Sequence, residues 1–475
     1  MKKIFLSLSL ASLSLMAAAD YTTPGNGVVF TPLSLSFIDE SGVTALEEGS
    51  YLVSSDITIS EEDSFELMDG DILYMADGVT IVVEGEAMLN PELGATILPA
   101  DSEALPLGFK LYGNSAMKNL DIEGIGVIYY GAQPFVVENC DFTNCNGEIS
   151  LYGALVFSSA NYGNVVSGCT FTDCVCGAIQ SPVLLGAGGP QILIEDCVIT
   201  NVSTSDGLRP FINLSSCLDA EIVIRNNTLI GNKLERPGGI GVSNMMNYEG
   251  ENKVILENNY VKDCSWGLNF IGGMDVTLLN NSVIDNCWDS DVNGGIAITM
   301  YSMGNYPMDV YAENNIIEGN KWGPCNVIAS NVNFGKTDDP QAEDYNPGNN
   351  IFRNNGHLDA DGNQVDVDFC NNASVTAYAQ GNVWNDATTL EEAAATIQDN
   401  NYNPTYGPVI YDPIRTSIET RITPSTVTPK IEGSFSCYDL NGNLVFTGTD
   451  IREASLPAGI YVVKAANLST KIVVR

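Results

Sequence analysis

The chain of 475 residues has one histidine, 20 basic side chains against 59 acidic ones, and no Cys-x-x-Cys pair. A single histidine, His357, leaves no histidine-rich metal cluster, no two-histidine mechanism and no Ser-His-Asp triad to build on. A formal net charge of -39 sets the surface against phosphate and argues against nucleic acid as a partner. Beyond residue 20 no apolar run approaches the ~20 residues of a membrane-spanning helix. The Cys174-Val175-Cys176 spacing is a poor zinc clamp, and no cysteine precedes Cys140, so a lipid-anchored N-terminus is not expected.

What is present is enough apolar material for a long core, 44% of the residues. At ~150 residues per domain, the length suits about three units or one repeat body with attachments. Residues 1–19 read as a signal peptide: Lys2 and Lys3 form a basic start, an apolar run follows, and Ala17-Ala18-Ala19 offers a cleavage site. The chain is therefore expected to be exported. Residues 20–424 hold 55 acidic against 13 basic side chains, whereas residues 425–475 hold four against five. Two bodies with different surfaces are implied. The Pro-rich stretch 404–429, with Pro404, Pro408, Pro413, Pro424 and Pro429, is expected to link them.

Within the acidic body one phrase recurs. It runs Asn139-Cys140-Asp141-Phe142, Gly168-Cys169-Thr170-Phe171, Asp196-Cys197-Val198-Ile199 and Asn226-Asn227-Thr228-Leu229. It continues through Asn258-Asn259, Asn280-Asn281, Asn314-Asn315, Asn349-Asn350 and Gly381-Asn382, each followed by a residue and then an apolar one. The closing apolar residues are separated by 29, 28, 30, 32, 22, 34, 35 and 32 positions. The shortest interval is close to one bare coil of three short strands and three turns, and the others carry loops. The alternation has a period of two and favours β-branched and aromatic residues, which excludes helix. Equivalent residues one coil apart then stack ~4.8 Å from each other, so inward asparagines form a ladder that begins as a ladder of cysteines. The cysteines are expected to be mostly buried thiols, although export would permit bridges between neighbouring coils.

In these repeats the sequence resembles the pectate-lyase-like right-handed parallel β-helix superfamily over about residues 78–386. The resemblance implies an all-β solenoid, and that superfamily carries lyases, hydrolases, adhesins and spikes. Residues 20–77 are expected to supply the N-terminal cap and first coils, 78–403 the parallel β-helix, and 430–475 a small antiparallel β-sandwich. In that last segment Asn441-Gly442 fixes a hairpin, and Leu456-Pro457-Ala458-Gly459-Ile460-Tyr461 and Lys471-Ile472-Val473-Val474-Arg475 complete the unit. These phrases resemble the C-terminal sorting domain of the type IX secretion system. The resemblance implies passage across an outer membrane and attachment to the cell surface.

Candidate sites follow from three patterns. Arg209-Pro210 and Arg236-Pro237 precede equivalent strands in successive coils, and paired guanidinium groups could grip a uronate or sulfate, against the plainer reading of surface ion pairs. Trp266, Trp288, Trp322 and His357 each lie five residues after the closing apolar residue, so four rings are expected to stack, as a sugar platform if outward or as core or turn packing. Met245, Met246 and Tyr248 face Tyr301, Met303 and Tyr306 across a coil whose corner is only Gly272-Gly273-Met274, which suggests a notch for glycan or protein. Asp289, Asp291 and Asn293 form half of a calcium loop, with Met300 where the bidentate Glu belongs, and Asp359-Ala360-Asp361-Gly362-Asn363 has its Gly misplaced. No cofactor is required, and calcium is the one the sequence allows.

Ser205-Asp206-Gly207 lacks the further carboxylates of a polygalacturonase site. The expected function is therefore binding of glycan or protein at the cell surface without catalysis. A uronate lyase acting through Arg209 and Arg236 is the alternative, and a structural surface coat the third.

Overall fold

The protein is described here by a computed structural model covering residues 20–149, 153–182, 188–205, 207, 209–245, 250–288, 294–299, 308–327 and 331–418, together with strands 435–438, 444–448, 459–465 and 468–474. It divides into two units, at residue 418.

The first unit is a right-handed parallel β-helix built from three parallel sheets of 14 strands each. Each coil lays one strand in every sheet. Ile212–Ser215 belongs to the first sheet, Ala220–Arg225 to the second and Thr228–Ile230 to the third, before the chain returns to the first sheet at Ile240–Ser243. The closing apolar residues of the repeat are register partners throughout: Phe142 pairs with Phe171, Phe171 with Ile199, Ile199 with Leu229 and Leu229 with Val261. Val283, Ile317, Phe352 and Trp384 continue the column. It also runs backwards, through Ile122, Ile97 and Leu73 to Tyr51, where no asparagine phrase marks the coil.

The repeated phrase has a backbone cause. Its first residue turns the chain between the second and third sheets in the left-handed conformation, with φ of 52° at Asn139, 58° at Asn226, 57° at Asn280 and 64° at Gly168. Asn, Asp and Gly tolerate that conformation, and β-branched residues do not. The second residue points inward. Asn281 Oδ1 accepts both the backbone N–H of Asn259 at 3.0 Å and its Nδ2 at 3.0 Å, while Asn281 Nδ2 donates to Leu256 O at 2.8 Å. The same pattern repeats through Asn315, Asn350 and Asn382. A second ladder, through Asn286, Asn320 and Asn355, stands at the next corner and ends on the carboxylate of Asp368. Earlier coils place Cys140, Cys169 and Cys197 in the first column and Cys145 and Cys174 in the second, all buried and all free thiols.

Parallel pairing begins before residue 78 and ends after 403. Tyr21–Thr22 already pairs with Ile57–Thr58. At the other end Val409–Ile410, inside the stretch expected to be a linker, pairs with Ala377–Tyr378 as the last strand of its sheet. The open N-terminal end is covered by the helix Pro32–Ser36, whose Thr31 and Ser34 form a capping box and whose Leu35 is buried, and by the antiparallel hairpin of Val43–Glu47 with Ser50–Val53. Asp63 pins the first coil. Burial alone would raise its pKa, but bonds from Thr23 and from the N–H groups of Val28, Gly25 and Asn26 prevail and hold it at about 2.

The second unit is a four-stranded antiparallel sheet. Phe435–Tyr438 lies between Leu444–Gly448 and Gly459–Ala465, and Leu468–Val474 forms the far edge.

Two predictions follow from the ladders. Asn281→Ala removes the one oxygen that accepts from both the N–H and the Nδ2 of Asn259, and it strips Leu256 O of its donor, so it should lower stability by about 2–4 kcal/mol in urea unfolding. Asn280→Gly, at the left-handed corner, should cost less than 1 kcal/mol, whereas Asn280→Val should cost more than the glycine. The second concerns Asp368, whose carboxyl is buried and pushed up to about 6, because desolvation outweighs the amides that bond it. The folded state therefore holds a proton that the unfolded state releases near pH 3.8, and this group's contribution is lost as pH rises from about 4 through 6. Wild-type stability relative to Asp368→Asn should accordingly fall by on the order of 2–3 kcal/mol between pH 4 and 7, measured by denaturant titration.

Candidate ligand-binding face

The outward positions of the second sheet are strewn with charge, from Glu138 through Glu195, Arg225 and Glu257 to Glu313, while the third sheet carries an uncharged outward row of hydroxyl, apolar and aromatic side chains, Thr170, Val198, Thr228, Tyr260, Ser282, Ile316 and Ile351. On the first sheet the outward row is different in kind. Register sets Gln180 beside Asn213, Asn213 beside Gly241, Gly241 beside Asn269, Asn269 beside Ala297, and Ala297 beside Cys325. The row thus presents amides, a glycine, a methyl group and a thiol, and no charged group. Upstream, the strands Gly126–Tyr129 and Gly153–Phe157 are buried on both faces, and the Gln180 side chain lies across Gly153 and Gly177 with Nε2 donating to Pro210 O at 2.7 Å. Asn213, Asn269, Ala297 and Cys325 are partly exposed. Gln180 Oε1 and Asn269 Oδ1 are buried atoms with no hydrogen-bond partner among the described residues. An amide oxygen held dry and unpaired costs free energy unless a donor reaches it.

Trp266 roofs the centre of this row. A Cβ on Gly238 would stand 2.0 Å from the indole, and one on Gly241 would stand 3.4 Å from it, 3.3 Å from Asn213 Oδ1 and 3.6 Å from Pro210 Cγ. Two glycines of one coil, Gly238 just ahead of the strand and Gly241 within it, therefore make the bed in which the ring lies. Pro210 and Gly238 stand two residues ahead of their strands, as Trp266 does, and Phe211 N bonds Gly238 O at 2.9 Å. Arg209 and Arg236 consequently occur at the heads of neighbouring strands, Arg209 half-buried and Arg236 exposed. Arg209 also opposes, through its charge, the burial that pushes the Cys176 thiol up to about 12.

The four expected rings do not form one stack. Trp322 and His357 stack, with centroids 4.6 Å apart and planes at 27°. Trp266 lies over Gly238, and Trp288, which is exposed, has Lys233 Nζ 5.3 Å from its ring centre. The physical reason is an insertion: Trp266 and Trp322 stand two residues before their first-sheet strands, but Trp288 stands eight before Ile296–Thr299. His357, for its part, sits on a hairpin of Gly356–Leu358 with Gln364–Asp366. None of the four rings enters the core.

Of the expected notch, Met245 is exposed and Met274 buried, while Met246, Tyr248, Tyr301, Met303 and Tyr306 lie outside the described residues. Asp289, Asp291 and Asn293 lie outside them too. Asp359 spends its carboxylate locally, accepting from the N–H groups of Asp361 at 2.9 Å and Asn363 at 2.8 Å. No group of three or more His, Cys, Asp or Glu side chains converges on a metal-sized site among the described residues. A cleft of about 240 Å³ at the C-terminal end of the β-helix is lined by Ala394, Ala395, Tyr402 and Tyr411, far in sequence from the amide row.

Gln180, Asn213 and Asn269 were not anticipated from the sequence. Each is a polar residue at an outward position of a strand that is otherwise apolar, a signal that becomes readable only once the strands are in register.

No protein-family model and no curated protein matches the chain. Among solved structures, a double mutant of the periplasmic alginate epimerase AlgG is similar over 81% of each chain at 11% identity with a TM-score of 0.45. AlgG itself is similar over 81% of each chain at 12% identity with a TM-score of 0.41. The fold assignment rests on the chain's own ladders.

The glycine bed is directly testable. Gly238→Ala should lift the indole of Trp266 off the sheet, seen as a red shift and increased quenching by iodide in a background where Trp288 and Trp322 are replaced by Phe, with the buried Trp384 as the unquenched, constant component.

Proposed function

We propose that the protein is exported, displayed at the cell surface, and binds glycan across the outer face of its first sheet. The observation that carries this reading is the uncharged amide row under Trp266, on a body that is otherwise strongly acidic. Amides suit hydroxyl groups as both donors and acceptors, an indole face suits the apolar side of a sugar ring, and Arg209 and Arg236 would select a carboxylate or sulfate on the polymer. Loop residues Met245, Met246, Tyr248, Tyr301, Met303 and Tyr306 would extend the contact, as would Trp288 and Trp322. Calcium held by Asp289, Asp291 and Asn293 would support an acidic ligand without being required. Membership of the pectate-lyase-like superfamily is part of this proposal, supported by the repeat and its three-sheet coil.

The signal-like residues 1–19 support export. The antiparallel four-strand unit, with Leu456-Pro457-Ala458-Gly459-Ile460-Tyr461 leading into one of its strands, supports reading residues 430–475 as a type IX sorting domain that engages that secretion machinery.

A second reading, a uronate lyase, is favoured by the occurrence of Arg209 and Arg236 at the heads of neighbouring strands. One of them would take the proton next to the sugar carboxylate, while the other offsets the charge that develops. A screen of the purified protein against acidic and neutral polysaccharides, with calcium, separates the readings by recording binding and ultraviolet absorbance together. We expect saturable binding without new absorbance, and an affinity for the acidic polymer about tenfold weaker in Arg209→Ala and in Arg236→Ala. New absorbance that either substitution abolishes would make the protein a lyase. Silence in both signals would overturn both readings and favour a protein partner or a self-associating coat.

A further inference from the structure

The outward row of the first sheet ends on a feature that glycan binding does not use. Beyond Ala297 the next two outward positions are Cys325 and Cys370, register partners in neighbouring coils although 45 positions apart in sequence. Their thiols are within hydrogen-bonding reach of each other. Parallel neighbours have Cα atoms ~4.8 Å apart, inside the range of roughly 4.4–6.8 Å that a disulfide spans. The two coils are already fastened on the inner side, where Asn326 Nδ2 donates to Asn371 Oδ1 at 3.0 Å, so the pair is held in register from behind.

We propose that Cys325 and Cys370 are the disulfide-forming pair of this chain, closing a bond between two coils on the outer face of the first sheet. Spacing does not single them out, since Cys140, Cys169 and Cys197 are stacked one coil apart as well. Access does. Those three thiols are fully buried and directed at backbone carbonyls, Cys197 Sγ to Glu195 O at 3.2 Å and Cys169 Sγ to Ser167 O at 3.4 Å. Cys325 is partly exposed, and Cys370 is only 3% exposed beneath it. Within the pair, an external disulfide therefore meets Cys325 first; Cys287 is more exposed but lies outside the strands with no cysteine as register partner, so it can form an adduct and not this bridge.

The reaction is thiol–disulfide exchange with a disulfide oxidant. The bond to Cys370 and burial both hold the proton on Cys325, so it attacks through its small thiolate fraction: Cys325 Sγ displaces one sulfur of the oxidant, forming a mixed disulfide and releasing the first external thiol, which takes up the proton that Cys325 lost. Cys370 Sγ, losing its proton to solvent, then attacks Cys325 Sγ. The intramolecular bond forms, and the second external thiol leaves with a proton. Two protein thiols are oxidised and one external disulfide is reduced to two thiols. The product closes a loop that contains the hairpin of Gly356–Leu358 with Gln364–Asp366, and it restrains the unfolded chain there.

The test uses the purified full chain, reduced and then incubated natively with oxidised glutathione, alkylated, and mapped by peptide mass. The expected product is a linked peptide pair containing Cys325 and Cys370, two hydrogens lighter than the thiols, with Cys140, Cys169 and Cys197 recovered as thiols. The oxidised form should unfold at a higher temperature than the reduced form, and a reductant should erase the difference. Cys370→Ser should stop the reaction at a glutathione adduct on Cys325. Cys325→Ser provides the reciprocal check, because it should leave Cys370 unmodified. Recovery of both cysteines as free thiols in the native protein would overturn the proposal, as would a first bridge forming between any other pair.

Discussion

Every coil of this protein has to turn corners at which inward backbone groups lose their place in a sheet ladder, and the satisfaction of those groups is the constraint on which the rest depends. A buried N–H with no acceptor costs about 1–3 kcal/mol, and the cost recurs at each coil. The asparagine side chain meets it with one group. Its oxygen accepts from the backbone and amide of the preceding coil, and its nitrogen donates to a carbonyl further back, so each asparagine couples three coils. Asn259, for example, bonds Asn281 Oδ1 ahead and Ile224 O behind. The left-handed residue before it is the geometric complement, since that conformation is what turns the next side chain into the core.

The ladders do not run the whole length of the helix. From Cys140 to Cys197 thiols replace the amides, and thiols are weak donors: they reach carbonyls two residues back and, at greater length, carbonyls of the preceding coil, Cys169 Sγ to Val137 O at 3.6 Å and Cys197 Sγ to Val166 O at 3.7 Å. Beyond the sheet ladders, those coils are joined by ring contacts: Phe142 stacks on Phe171 at 4.7 Å, and Phe135 packs tilted against Phe157 at 5.7 Å. Directional polar coupling is therefore concentrated in the later coils, which also carry the longest excursions between strands. A coil that must return to register after a long loop gains from a bond that fixes the register.

The same logic explains what the sequence disclosed. The repeat was legible because inward positions are constrained at every coil; the column from Phe142 to Trp384 could be read as a list of pairs before any coordinates. The earliest coils, from Tyr51 to Ile122, showed only alternation: the same left-handed corner recurs at Gly70, Gly94 and Asn119, but the inward residue after it is Asp71, Ala95 or Leu120, so no asparagine ladder marks them. Outward chemistry was harder to read. Trp266, Trp288 and Trp322 share a spacing from the third sheet, but the ring positions are set by the distance to the first, and the insertion before Ile296 breaks the equivalence. Gln180, Asn213 and Asn269 are scattered over intervals of unequal length, so nothing in the linear sequence groups them. Their grouping is a product of register, which the inner ladders enforce.

This division between inner rule and outer freedom bears on what kind of ligand the face can take. The amide row is lateral, open along the stacking direction, and made of groups contributed by consecutive coils. A small molecule held by such a row would keep much of its surface in water, whereas tight sites for small molecules enclose most of theirs. A polymer gains from each coil it crosses, by modest contacts that add along its length and need no enclosure. Electrostatics points the same way. On a body with 55 acidic side chains against 13 basic ones, an acidic polymer is repelled over most of the surface, and Arg209 and Arg236 stand at the head of a stretch of outward amides that carries no charge of its own. On the proposed reading the arginines would act less as a source of affinity than as a local offset to the acidic surface, favouring an acidic chain at this face.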